Sequence, residues 1–172
     1  MQIGAGGGKN LKQIFESDKI SFVEISELLI NDYLIMINDN ENVNRFIYKT
    51  KRDRRFTAEE ETEWVHKKLE ENAVIFSMIE KKTGAFIGNI ELMEFSDAVK
   101  ELGIAITAQK QNMGYGTEAV GALLEFGFKQ FGLQKIILRA NPENGRAICV
   151  YKKFGFREYN RTDEHVYMEK SR

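Results

Sequence analysis

A glycine-containing loop at positions 111–116 has the clearest capacity for chemistry. It reads Gln-Asn-Met-Gly-Tyr-Gly and lies between a short apolar run at 102–106 and a helical pattern. The first turn of a helix has unpaired backbone N–H groups and a partial positive charge, and both attract anions. Gly114 and Gly116 have no Cβ atom, so the backbone can approach a phosphate closely. The loop therefore predicts a phosphate site, although glycines before helices also serve simply as turns. Glu118, in the same first turn, should point away from a bound anion.

Other reactive residue types form weaker patterns. His66 and His165 have no spacing that indicates a triad or a metal site, and both are predicted to lie at the surface. Cys149 lies among apolar neighbours in a helical segment, which predicts a buried, unreactive thiol. A single cysteine forms neither an internal disulfide nor a thiolate metal cage, so we expect no metal.

The elements that must position the loop alternate between strands and helices. Strands are predicted at 20–25, 74–80, 85–95, 102–106, 135–140, 156–159 and 165–169. Helices are predicted within 26–47, after a capping box formed by Thr57 and Glu60, from the loop to Gly132, and at 144–154. Hairpins near both ends and helices between them predict an α/β (α+β) fold, with a mixed sheet and helices on its faces.

A second glycine-rich segment, residues 4–9, does not fit a nucleotide phosphate loop. Only three residues separate Gly4 from Gly8 where that motif needs four, and Asn10 stands where it has Ser or Thr. We interpret residues 1–19 as a flexible N-terminal segment. Residues 20–172 are then expected to form a single domain.

Bulk composition narrows the class of protein. The 172 residues are 42% apolar and 30% charged, with 25 basic and 26 acidic side chains and a net charge of −1. This balance gives no indication of general nucleic-acid binding. No apolar run is long enough to cross a bilayer, and no signal-peptide pattern is present. We expect a cytoplasmic protein without nucleic-acid or membrane partners.

Four features between positions 101 and 159 resemble the GCN5-related N-acetyltransferase (GNAT) superfamily. Residues 111–116 fit its pyrophosphate signature, Gln/Arg-x-x-Gly-x-Gly/Ala. The strand at 136–141, Asn144 and the segment Val-Tyr-Lys-Lys-Phe-Gly-Phe at 150–156 follow in the family's order and spacing. Residues 86–92 are similar to the central hairpin strand of the ribosomal-protein and polyamine N-acetyltransferases.

The resemblance implies a mostly antiparallel mixed sheet whose central strands splay apart, with helices on both faces. Acetyl-CoA would bind without a metal in the V-shaped gap between the strands at 102–106 and 135–140. A backbone N–H of residues 104–106 would face the thioester carbonyl. The cofactor-binding residues implied are Ile104, Ala105, Ile106, Gln111, Asn112, Met113, Gly114, Tyr115, Gly116, Thr117, Asn141 and Asn144.

The same resemblance implies two catalytic residues. Tyr151 matches the general acid that protonates the departing CoA thiolate, and Glu101 matches a position where many members carry the base. The alternatives are that Tyr151 is a core aromatic and that Glu101 is an exposed strand-end carboxylate. Glu91, on the neighbouring strand, is a rival base.

The acceptor implied is a primary amine, such as a protein N-terminus, a polyamine or an amino sugar. Residues 26–44 contain no Lys or Arg, and their carboxylates predict an opening that attracts cations, although a solvated helix face explains them too. These carboxylates are Glu27, Asp32, Asp39 and Glu41. A non-catalytic acyl-CoA sensor is the alternative function, and a homodimer stays open. A dinucleotide-binding oxidoreductase would need an acidic residue ending the strand at 135–141, which has none.

Overall fold

The computed structural model describes residues 2–5, 9–47 and 54–172. Its described residues form one sheet of nine strands, in the order β1-β2-β3-β4-β5-β6-β7-β9-β8. The strands are β1 Gln2–Ala5, β2 Lys9–Glu16, β3 Ile20–Glu24, β4 Val74–Glu80, β5 Phe86–Ser96, β6 Val99–Ile106, β7 Lys135–Ala140, β8 Arg157–Arg161 and β9 Val166–Ser171. Every neighbouring pair is antiparallel except β6 and β7. The predicted mixed, mostly antiparallel sheet is confirmed.

Local signals mark the ends of several helices of the described residues. They are α1 Ile30–Ile37, α2 Arg45–Ile47, α3 Ala58–Glu70, α4 Tyr115–Phe131 and α5 Gly145–Lys153. Thr57 and Glu60 form the predicted capping box at the start of α3. Gly132, with φ of 60°, ends α4 as predicted. Within the described ranges, no helix is both long and apolar enough to cross a membrane.

Alternating side chains of the strands fill two cores, one on each face of the sheet. Phe22 and Phe76 pack with α4 on one face. Their neighbours Val23 and Ile75 pack with α1 and α3 on the other face. Helices therefore cover both faces, as predicted.

The centre of the sheet splits between β6 and β7. The parallel ladder joins Val99–Glu101 only to Lys135–Ile137, while β6 runs on to Ile106 and β7 to Ala140. Past Glu101, β6 pairs with β5 and β7 pairs with β9. The two central strands thus leave an open gap, which is the predicted splay. Because β6 begins at Val99, Glu101 lies inside the strand rather than at its start.

The prediction that residues 1–19 are flexible is wrong for positions 2–5, which form β1, and for positions 9–16. Residues 9–16 form β2, which pairs with β3. Leu11 is 2% exposed, and the ring of Phe15 stacks on Phe22 and Phe126 at centroid distances of 4.2 and 4.4 Å. A register shift between Gln13 and Phe15 sends the two apolar side chains into opposite cores, so no simple alternation marks the strand. Residues 1 and 6–8 of that segment lie outside the described residues.

Candidate active site

The glycine loop joins β6 to α4 in the geometry that the sequence predicts. Gly114 precedes the helix with φ of 87°, and a Cβ atom there would meet no heavy atom within 4 Å. A Cβ at Gly116 would lie 3.2 Å from the Cδ1 atom of Ile106. The first-turn N–H groups of a helix have no carbonyl partner within it. Gly114, Gly116 and Thr117 therefore present donors and a positive helix end to the neighbouring cavity.

Glu118 points away from this anion site, as expected. Its Oε1 atom accepts hydrogen bonds from the Ser17 hydroxyl and the Lys19 N–H, both at 2.7 Å. The carboxylate therefore connects the first turn of α4 to the turn between β2 and β3, and it is not part of the lining of the cavity that the loop borders.

The side chain of Tyr115 anchors the loop to the sheet. Tyr115 is 5% exposed, and its hydroxyl donates to the carboxylate of Glu80 at the end of β4. Glu80 also accepts from the Thr83 hydroxyl and, at 2.9 Å, from the Lys110 Nζ atom. These hydrogen bonds, with Thr83 first and Tyr115 second, lower the pKa of Glu80 to about 2. The bond to Glu80, with burial, raises the pKa of Tyr115 to about 12.

Further polar contacts hold the loop to the elements around it. The Gln111 amide donates to the Ile106 carbonyl at 3.0 Å. Arg146 of α5 reaches across the cavity and donates to Asn112 Oδ1 at 2.9 Å and to Gln111 Oε1 at 3.0 Å. Met113 is 53% exposed. The loop is thus fixed to both β6 and α5.

The loop borders a cavity of about 490 Å³, which we call the loop cavity. Its lining includes Lys110, Arg146 and Lys153 and, among the described residues, no carboxylate. Of the predicted cofactor residues, those lining it are Ile104, Ala105, Ile106, Gln111, Asn112, Gly114, Gly116, Thr117 and Asn144. Met113, Tyr115 and Asn141 are not part of this lining. The basic side chains and the N-terminal end of α4 give this cavity positive charge, which suits an anionic ligand.

Cys149 also lines the loop cavity, and its thiol is exposed. The prediction of a buried thiol is therefore wrong. Tyr151 takes the buried position of α5, and a residue two positions away lies on another side of the helix.

Two asparagines shape the turn between β7 and α5. Asn144 caps α5, with its Oδ1 atom accepting from the Ala147 N–H at 3.2 Å. Asn141 accepts from the Glu143 N–H at 2.8 Å. Both contacts use the side-chain oxygen, which leaves the amide NH₂ group of each residue as a donor.

A second cavity, of about 840 Å³, lies between α3 and the face of the sheet, and we call it the sheet cavity. Its lining includes Trp64 and Glu61 of α3, Glu91 of β5, Glu101 of β6 and Arg139 of β7. The residues that line both cavities are Phe46, Ile47, Ile104, Ala105, Asn144, Ala147 and Tyr151. The two cavities therefore meet in the gap between the central strands.

Tyr151 stands at this junction. Its ring is 6% exposed and packs edge-on against Phe156 at 5.8 Å, so it is a core aromatic as well as a lining residue. Burial raises the pKa of Tyr151 to about 12, which keeps the hydroxyl protonated near neutral pH. Among the described residues, no hydrogen-bond partner of this hydroxyl is recorded. A protonated hydroxyl at the meeting point of two cavities can donate to a ligand in either.

The two candidate bases have different surroundings. Glu101 accepts a hydrogen bond from Arg139 Nε at 2.7 Å and forms an ion pair with it. Glu91 is half-buried in the wall of the sheet cavity, and burial raises the pKa of its carboxyl.

The acidic stretch at 26–44 contributes Tyr33, Met36 and Ile37 to the lining of the sheet cavity, but none of its four predicted carboxylates. Glu27 lies 2.5 Å from exposed His66, and Asp39 accepts from the Asn42 N–H at 3.0 Å. The carboxylates that do line the cavity are Glu60, Glu61, Glu63, Glu91 and Glu101. His165 is half-buried in the same lining, so its prediction as a surface residue is wrong, while that of His66 is confirmed. Chain folding, not local charge density, decided which acids face the cavity.

Known proteins share this architecture. A family model described as an acetyltransferase (GNAT) domain matches residues 21–157. The chain therefore belongs to the GNAT acetyltransferase family, as its resemblance implied.

Individual relatives agree with this assignment. An uncharacterized N-acetyltransferase of Bacillus subtilis (strain 168) is 37% identical over 103 residues, 59% of this chain and 61% of that protein. A spermidine N(1)-acetyltransferase of Vibrio cholerae is 25% identical over 134 residues, 77% of this chain and 76% of that protein. The matched region thus spans less than two thirds of the Bacillus subtilis relative.

Solved structures share the fold. A GNAT-family acetyltransferase from Bacillus anthracis superposes with a TM-score of 0.79 at 22% identity, covering 91% of this chain and 96% of that one. The Vibrio cholerae spermidine N-acetyltransferase in complex with CoA and spermine gives 0.77 at 20% identity, covering 90% and 96%. At these identities the likeness establishes the fold.

Proposed function

We propose that this protein transfers an acetyl group from acetyl-CoA to a primary amine, by direct attack within a ternary complex. The observation that carries the proposal is the meeting of two cavities at Tyr151. The loop cavity has basic side chains and the backbone donors of the glycine loop, and the sheet cavity contains half-buried carboxylates. Both substrates can then lie in contact with each other.

The loop cavity suits the phosphates of CoA. Backbone donors at Gly114, Gly116 and Thr117 supply the hydrogen bonds that a pyrophosphate requires. Lys110 and Arg146 add positive charge beside them. Acetyl-CoA, when bound, supplies an activated thioester, and the residues named here orient it without a metal.

The gap between β6 and β7 suits the pantetheine arm. Past Glu101 the β6–β7 ladder stops, so, within the described part of the chain, backbone groups of β6 on that side can pair with an extended ligand as an added strand would. A backbone N–H of residues 104–106 then stabilises the negative charge that develops on the thioester oxygen. The amide groups of Asn141 and Asn144 supply further donors at the other edge.

Two different groups move protons in this reaction: a carboxylate accepts one from the amine, and Tyr151 donates one to the leaving thiolate. Most free amines are protonated near neutral pH, so a carboxylate of the sheet cavity, Glu101 or Glu91, removes a proton before attack. Tyr151 donates its proton to the sulfur as the carbon–sulfur bond breaks. The raised pKa of Tyr151 ensures that this proton is present near neutral pH.

The acceptor that the sheet cavity suits best is a small cationic amine such as a polyamine. Glu61 and Glu91 are partly buried carboxylates in its lining, and burial raises the pKa of both. Burial disfavours the ionised form of these carboxylates, and a cation that binds beside them stabilises that form. The spermidine acetyltransferase relative supports the same acceptor class.

A thiol-release screen tests the proposal. Purified protein is given acetyl-CoA with polyamines, simple amines, aminoglycosides and peptide N-termini, and free CoA thiol is measured. We expect turnover with at least one polyamine, and none with acetyl-CoA alone beyond slow hydrolysis. Tight acetyl-CoA binding by calorimetry without thiol release for any amine would favour the non-catalytic sensor.

A further inference from the structure

We propose that Glu91, rather than Glu101, is the general base that deprotonates the acceptor amine. This assignment rests on the proposed function. It adds to that function a choice between two carboxylates of the sheet cavity.

Glu91 lies directly beside the point where the two cavities meet. It pairs with Gly103 across β5 and β6, and Gly103 immediately precedes Ile104 and Ala105, which line both cavities. A Cβ atom at Gly103 would lie 3.1 Å from both Cγ and Oε1 of Glu91. The glutamate side chain therefore lies over the surface that the glycine leaves open, next to the strand that faces the thioester.

Glu101 already forms an ion pair with Arg139. Its Oε1 atom is 2.7 Å from Arg139 Nε, and its side chain is only 15% exposed. This charge-assisted hydrogen bond occupies one carboxylate oxygen of Glu101 and holds the side chain toward Arg139. Glu91, by contrast, has no recorded hydrogen bond or ion pair of its side chain among the described residues.

The charges around Glu91 make it a stronger base than a solvated glutamate. Burial raises its pKa most, the positive charge of Lys68 on α3 lowers it, and the negative charge of Glu101 raises it. The other charged or titratable groups lining the cavity are Tyr33 on α1, Arg54 before α3, Glu60, Glu61, Glu63 and Lys67 on α3, Arg139 on β7, Tyr151 on α5 and His165 before β9. A carboxylate whose pKa is raised toward the working pH is a more effective proton acceptor than one at its ordinary value.

The proton steps balance with these residues. The Glu91 carboxylate takes one proton from the ammonium group, and the freed lone pair forms the C–N bond to the thioester carbon. The C–S bond then breaks, and Tyr151 gives its proton to the thiolate. The excess proton on the new amide nitrogen returns to Tyr151 through water, and the proton on Glu91 leaves to solvent.

Three variants test the assignment with an amine that the wild type acetylates. Glu91→Gln should lower kcat by about 10²-fold or more and remove the acidic limb of the kcat–pH profile. Raising the pH should partly restore this variant, because the neutral fraction of the amine grows about tenfold per pH unit below the amine's pKa. Acetyl-CoA affinity by calorimetry should not change.

Glu101→Gln should lower kcat by less than about tenfold and keep the acidic limb, since the base remains. Gly103→Ala adds one methyl group against the Glu91 side chain, so it should lower kcat while leaving acetyl-CoA affinity intact. Glu70→Gln, on an exposed position of α3 outside both linings, controls for the loss of one charge.

The outcomes separate this assignment from the proposed function. An active wild type whose Glu91→Gln variant stays within about threefold in kcat, or keeps the acidic limb, overturns the assignment alone. A larger loss in Glu101→Gln than in Glu91→Gln also overturns it. If Glu91→Gln does not fold, an unchanged kcat in Gly103→Ala overturns it. A wild type that binds acetyl-CoA but acetylates no amine overturns the proposed function and the assignment together.

Discussion

The loop cavity and the sheet cavity share Tyr151 but are built from different kinds of structure. The loop cavity is formed mainly by one continuous stretch, from β6 through the glycine loop into α4, closed by α5. The sheet cavity draws on α1, α2, α3 and α5, on β4, β5, β6 and β7, and on the turn before β9. The first uses mainly backbone donors and the second uses side chains. A backbone site is a property of local conformation, whereas a side-chain site depends on which residues the fold brings together.

Charge divides the two cavities in the same way. The loop cavity has three basic side chains and, within the described part of the chain, no carboxylate. The sheet cavity contains five carboxylates together with basic groups. Two of its basic side chains form ion pairs, Arg139 with Glu101 and Arg54 with Glu60. The first is suited to a polyanion. The second can recognise a cation only through the carboxylates that lack such partners.

The largest expected effect is on the loop. Gly114→Glu should abolish acetyl-CoA binding, because it adds bulk and negative charge where the helix presents its donors. Isothermal calorimetry measures the affinity. Gly132→Glu is a matched control: Gly132 also has positive φ and open space around it, but it lies at the other end of α4. Both variants should lose similar stability, about 1–2 kcal/mol. Equal acetyl-CoA affinity in the two would remove the loop from the site.

Tyr151→Phe should affect turnover and not cofactor affinity. The lost hydroxyl serves as the thiolate leaves, so kcat should fall by about 10²–10⁴-fold. The ring remains to pack against Phe156, so the melting temperature should change little. Tyr159→Phe, at an exposed tyrosine, controls for loss of a hydroxyl. A kcat within about threefold of wild type would mean that another group protonates the thiolate.

Glu80→Gln tests how the loop is held. Because the carboxylate accepts from Thr83, Tyr115 and Lys110, the variant should raise the KM for acetyl-CoA and leave the KM for the amine unchanged. Losing a charged acceptor of buried donors should lower the free energy of unfolding by about 1–3 kcal/mol. Equal changes in both KM values would indicate general loosening of the fold.

The same carboxylate predicts a pH dependence of stability. The pKa of Glu80 is lowered from 4.5 to about 2 in the folded protein. Its contribution is therefore present above pH 4.5 and is lost as the pH falls toward 2. Urea unfolding across this range should show a steeper loss of stability in the wild type than in Glu80→Gln.

The smallest expected effect separates the two sets of acidic residues. Glu61→Gln, in the sheet cavity, should raise the KM for a polyamine by about two- to fivefold, equivalent to ~0.5–1 kcal/mol. Glu41→Gln, at an exposed residue of the acidic stretch, should leave it unchanged. Added salt should weaken polyamine binding more in the wild type than in Glu61→Gln. A larger rise in this KM for Glu41→Gln than for Glu61→Gln would indicate that the acidic stretch, and not Glu61, binds the acceptor.

The sequence by itself determined the mixed fold, the strand–loop–helix unit at 102–131 and the helix that carries Tyr151. These features follow from local periodicity, from glycine and from capping residues, whose effects act within one element or between neighbours in the chain. The resemblance of residues 101–159 to one family added the prediction of a cofactor site, whose expected residues nearly all lie in that one stretch.

Only the tertiary structure decided the partners of those residues. Glu80 is 35 positions from Tyr115, and Glu101 is 38 positions from Arg139, so no local pattern joins either pair. Residues 9–16 became a strand because the sheet offered an edge and two cores for their apolar side chains. Likewise the acidic stretch lines the sheet cavity with Tyr33, Met36 and Ile37 and not with its carboxylates, while Glu61 and Glu91 do line it. Ion pairs and burial depend on distances across the fold, and these are set when the strands and helices pack together.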